Sequence, residues 1–150
     1  MFLSEPGKTP YDLNFNLLGF PCRVHPAFFV LPVLFGAGLG SGEINAGVGI
    51  LLMAVVFFIS ILVHELGHAL AFRYYNIPSR VVLYWMGGLA IPDSGGWRGA
   101  RSRALTPEQQ IVVSGAGPAA GLLLALVAAL LLVSVGSTAS LGWAGVGGSR

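Results

Sequence analysis

The chain has 150 residues, 55% of them hydrophobic and 9% charged, with a formal net charge of +2. Soluble domains carry roughly 25% charged residues, so this chain has too few charges to coat a water-soluble particle of its size. Disorder is excluded because it needs low hydrophobicity and high charge. The single Cys22 excludes a disulfide framework, and the lack of a basic stripe with interleaved aromatics excludes nucleic acid as a partner. What remains is a single-domain, α-helical multi-pass membrane protein, with the lipid bilayer as its surroundings.

In chain order, residues 1–26 read as a polar to mixed tail. Glu5 and Pro6 stand where a secretory signal would be basic. Asn14 to Val24 has room for one short strand, broken by Gly19 and Pro21. Residues 27–40 form a first apolar segment, short for a span and kinked at Pro32. Residues 46–75 form a second, apolar from Ala46 to Val63 except for Ser60, then running without a breaker into HELGHALAFRYY. Residues 76–107 hold a small β-hairpin and an arginine-rich loop. The hairpin is VVLYWMGGLAIP, with Gly87-Gly88 as its turn signal. Residues 108–135 form the third span. It opens at Thr106-Pro107-Glu108, a cap residue, a first-turn proline and an early acidic residue. Residues 136–150 are a Gly- and Ser-rich tail. About three transmembrane helices are therefore expected, with the small hairpin between the second and third. Lys8 and Arg23 precede the first span, and Arg73, Arg80, Arg98, Arg101 and Arg103 follow the second. By the positive-inside rule the N-terminus and the arginine loop are cytoplasmic.

His64-Glu65-Leu66-Gly67-His68 carries the chemistry. Histidines at i and i+4 share one helix face, which lets His64 and His68 bind one Zn²⁺ while Glu65 takes a proton from activated water. Ionisable residues in a spanning helix are costly and mark functional sites. The bland reading is a helix end with interfacial histidines and a snorkelling Glu.

The run LVHELGHALAFRYY, residues 62–75, resembles the site-2 protease family (peptidase M50) of intramembrane zinc metalloproteases. Val24-His25-Pro26-Ala27-Phe28 resembles the His-Pro-x-Phe start of the first helix in shorter members. Leu83 to Ala90 resembles the family's Gly-Gly hairpin, and Ser114 to Gly121 its Ala-Gly-Pro motif. The resemblance implies a zinc-dependent endopeptidase cutting a substrate's transmembrane helix. His64 and His68 would be zinc ligands and Glu65 the general base. Gly87 and Gly88 would lie in a hairpin that presents substrate as an added strand.

The family's third ligand, an Asp in a later helix, has no counterpart in context. The only aspartates are Asp12 and Asp93, and a catalytic zinc needs three protein ligands. Four explanations stand: a fragment whose remainder supplies the Asp; a partner segment that does; a local substitute among His25, Asp93 and Glu108; or a zinc-poor pseudoenzyme. The alternative function is a non-catalytic membrane module that binds a transmembrane segment.

Other residues read blandly. His25 is more simply a positional residue at a membrane entrance than a ligand. Tyr74, Tyr75, Tyr84 and Trp85 read as an aromatic belt. Gly115, Gly117 and Gly121 read as small residues for close helix packing.

Overall fold

The computed structural model describes residues 6–39, 45–92 and 105–146, with side chains as far as Val135 and not at Leu39. The order of elements is β1 (Leu13–Leu17), β2 (Phe20–Val24), a 3-10 turn (Pro26–Phe29), α1 (Val30–Leu39), α2 (Ala46–Tyr74), β3 (Ser79–Tyr84), β4 (Gly87–Pro92) and α3 (Pro107–Val146).

Local chemistry sets the helix ends. The Asn45 side chain accepts from Gly47 N at 2.8 Å and starts α2. At the other end, Asn76 N donates to Arg73 O and Ile77 N to Phe72 O, each at 2.9 Å. Asn76 has φ 58, and Phe72 and Ile77 share one apolar cluster. This is a Schellman motif with its hydrophobic contact, and Asn suits its left-handed position. Pro78 follows. Helix α3 opens with a capping box in which Thr106 N donates to Gln109 Oε1 at 3.0 Å and Gln109 N to Thr106 Oγ1 at 3.3 Å.

Five features differ from the sequence-based expectation. Asn14 to Val24 is not one strand but part of a hairpin. Leu18 (φ 52) and Gly19 (φ 83) form a turn between β1 and β2, so Gly19 makes the structure rather than breaking it. Pro21 sits just before the first β2–β3 pair, Cys22↔Val81, where no ladder bond needs its missing N–H. The expected small hairpin after α2 is half of a four-stranded sheet, β1-β2-β3-β4, in which β2 runs parallel to β3. Its turn falls at Trp85-Met86, and Gly87 and Gly88 begin β4. Helix α3 continues beyond Val135 to Val146; Gly and Ser lower helix propensity by at most about 1 kcal/mol each, too little to stop a long helix alone. Pro32 lies in the first turn of α1, where its missing N–H costs nothing, so no kink is needed.

The sheet covers one side of α2. Phe20, Cys22, Val24, Phe28, Val81 and Leu83 pack on Leu62, Leu66 and Ala69. Helix α1 lies on the earlier half of α2, where a Cβ at Gly36 would come within 2.4 Å of Ile50 Cα. Arg73 ties the C-terminal end of α2 to the first hairpin: its guanidinium stacks 3.8 Å above the Phe20 ring and donates to Leu18 O. On the far face of the sheet, Arg23 bonds Asp12 at 2.8 Å. Asp12 also accepts from the Thr9 hydroxyl, and these bonds hold its carboxyl down to about 2.

Among the described residues, two helices are long and apolar enough to cross a membrane, Ala46–Tyr74 and Pro107–Val135. Pro26–Gly38 is shorter. The long helices are not a buried soluble core, since Leu122, Leu130 and Leu132 are 73%, 61% and 75% exposed. Leaving a Leu-sized side chain in water rather than burying it costs about 1.5–3 kcal/mol. A bilayer removes that cost along both helices. Tyr74 and Trp85 are exposed, as a headgroup belt requires, but Tyr84 is buried in the sheet.

Candidate metal centre

Helix periodicity brings His64 and His68 onto one face of α2, one turn apart, with Glu65 about 100° around the helix. The histidine rings meet edge to face at 4.9 Å between centroids. Their Nε2 atoms are 3.3 Å apart, and the three side chains' donor atoms all lie within 4.8 Å of one another. A tetrahedral zinc takes nitrogen ligands at about 2.0–2.1 Å, which sets two such nitrogens about 3.3 Å apart. The separation of the two Nε2 atoms therefore matches that of two nitrogens on one zinc ion.

Three walls hold the cluster. Gly67 brings α3 against α2, since a Cβ there would lie 2.4 Å from Ala116 O. The histidine rings thus face α3. His68 Nδ1 is 2.6 Å from Val113 O, and a Cβ on Gly117 would meet His68 Nε2 at 2.2 Å. Glu65 faces the sheet and is buried. A Cβ on Gly88 would sit 2.3 Å from its Cγ.

Glu65 thus lies against the last strand of the sheet. Among the described residues β4 is an outer strand. With a two-residue turn closed by the pair Tyr84↔Gly87, the Ala90 backbone groups at an alternate position turn away from β3, and residues two apart in an antiparallel pair share this direction. The Gly88 backbone is therefore turned outward as well, beside the carboxylate.

Of the proposed local substitutes for a third ligand, none joins the cluster among the described residues. His25 caps the 3-10 turn, with Nδ1 accepting from Ala27 N at 3.1 Å and its amide donating to Leu83 O at 2.8 Å. Glu108 is exposed at the start of α3, about 13 Å along the axis from Gly117. Asp93 lies outside the described residues. Sequence reasoning placed Gly88 in the substrate hairpin but missed its approach to Glu65, and it missed Val113. A glycine that follows the motif by a hairpin carries a signal for a close approach, but a backbone carbonyl carries none.

Two histidines and a carboxylate on one apolar helix, walled by a sheet edge and a second helix, are the donor pattern of zinc metallopeptidases. The model of peptidase family M50 matches residues 52–144, most of the chain, and the chain belongs to that family. It is 25% identical over 121 residues to a zinc metalloprotease of Methanocaldococcus jannaschii, covering 80% of this chain and 31% of the relative. It also superposes on the solved structure of a site-2 protease from Methanocaldococcus jannaschii. There the TM-score is 0.53 and the identity 25%, covering 83% of this chain and 51% of that one. The chain thus spans about a third of the curated relative and about half of the solved one.

Proposed function

We propose that the chain carries the catalytic core of a zinc-dependent intramembrane endopeptidase of the site-2 protease type. Its substrate is a membrane protein or peptide, cut in or near a transmembrane helix. The observation that carries this reading is the convergence of His64 and His68 Nε2, 3.3 Å apart, beside a buried Glu65 on an apolar helix.

His64 and His68 would hold the metal, and a zinc ion there would supply Lewis-acid activation of water and of the scissile carbonyl. Glu65 takes a proton from the attacking water as the oxygen bonds to the carbonyl carbon. It then returns that proton to the amine nitrogen as the C–N bond breaks. The substrate lies as an added strand along β4. An unwound transmembrane segment has unsatisfied backbone groups, and the outward-facing backbone of Gly88 and Ala90 can pair with them. This route brings the scissile bond past Glu65. The third zinc ligand comes from outside the described residues.

The N-terminus and the arginine loop are cytoplasmic, and α1 with its 3-10 turn makes the first of three passages. His64 lies about 27 Å along α2 from Ala46, toward the far edge of a ~30 Å hydrocarbon core. Water reaches it from the cytoplasmic side.

The test is cleavage of a membrane-embedded substrate by the protein in its own membranes, before and after zinc chelation. Cleavage that stops on chelation and returns with added zinc is the expected result. Cleavage indifferent to chelation contradicts the proposal.

A further inference from the structure

We propose that one turn of α3, Val113 to Gly117, is the positioning element for His68. It fixes which ring nitrogen carries the hydrogen and where the other one points. This rests on the reading of His68 as a metal ligand.

A backbone carbonyl only accepts hydrogen bonds. With His68 Nδ1 at 2.6 Å from Val113 O, the hydrogen of the neutral ring sits on Nδ1. Nε2 then presents a bare lone pair, beside His64 Nε2. Val113 O is also the helical acceptor for the Gly117 amide, four residues on, and its second lone pair is available to the ring.

Gly117 completes the slot. A Cβ there would lie 2.2 Å from His68 Nε2, 2.5 Å from Cε1 and 2.7 Å from Cδ2. All three contacts are with the ring, on the edge that must face a metal. His68 is on the side of α2 held against α3 by Gly67 and Ala116, so the ring cannot move aside while keeping its bond to Val113 O. Gly115 is different: a Cβ there meets nothing within 4 Å. The tightest contacts that a side chain at position 117 would make are thus with the imidazole. A partner that holds the far nitrogen of a metal-binding histidine sets its tautomer and orientation, and losing it costs typically 10–100-fold in metal affinity.

The experiment uses the protein in detergent and compares the parent with Gly117→Ala and Gly115→Ala. ¹⁵N NMR of the His68 ring in the zinc-free state reads the tautomer, and zinc titration reads the affinity. The parent should show the Nδ1–H tautomer alone. Gly117→Ala should mix the tautomers and weaken zinc binding by roughly 10–100-fold, while Gly115→Ala should match the parent in both. An Nε2–H ring in the parent overturns the proposal, and that result stands even if Gly117→Ala fails to fold. Parent-like tautomer and affinity in a folded Gly117→Ala also overturns it. A parent with the Nδ1–H ring and no zinc binding sinks the metal reading and leaves the role of this turn in orienting the ring intact.

Discussion

Glu65→Gln is expected to lower peptide cleavage by roughly 10²–10⁴-fold, the usual contribution of a general base, and to leave zinc content near that of the parent. The side chain is buried and packs against Gly88 of β4. Gln keeps its shape and size. It loses the capacity to take a proton from water. The two Nε2 atoms that face each other belong to His64 and His68, so metal binding should survive. Assaying cleavage and metal content on the same preparation separates the two effects. Parent-like cleavage by Glu65→Gln would remove Glu65 from the mechanism.

The second large effect is expected at Gly88. A Cβ there would stand 2.3 Å from Cγ, 2.7 Å from Cδ and 2.8 Å from Oε1 of Glu65. A side chain rather than backbone is in the way, so the conflict is relieved by displacing the carboxylate. Displacement of a reacting group by about 1 Å can cost on the order of 10²-fold in rate. Gly88→Ala should therefore lose about that much activity with little change in melting temperature. Gly87→Ala should do the reverse. Its Cβ meets nothing within 4 Å, but its φ of +121 suits only glycine, and the strain costs on the order of 1–3 kcal/mol. Equal activity losses in the two variants, each following the loss of folded protein, would show that Gly88 serves the hairpin rather than Glu65.

The legible parts of this protein were those fixed by neighbours in sequence. The cap at Thr106, the unbroken run through HELGH and the stop near Tyr75 are local events, and each was readable. The i, i+4 spacing of His64 and His68 predicted a shared face, and the structure has one. Pairing of β2 with β3 was not readable, because it joins Cys22 to Val81 across two helices and no local pattern encodes a distant register. The turn was misplaced at Gly87-Gly88 for a related reason. Those glycines look like turn residues, but Gly88 is small because Glu65 occupies the space. Gly117 was read as a packing residue for the same cause: sequence shows that a side chain is missing, not which atom fills the gap. His25 shows the opposite case, since its bland reading as a positional residue agrees with its cap on the 3-10 turn.

Elemental analysis would show whether His64 and His68 hold a zinc ion. The protein would be isolated from the membranes that produce it, with any associated segment retained, beside His64→Ala and His68→Ala. Close to one zinc per chain is expected in the parent, with that zinc lost in both variants. A zinc-free parent, or zinc that persists in both variants, would contradict the assignment of His64 and His68 as zinc ligands.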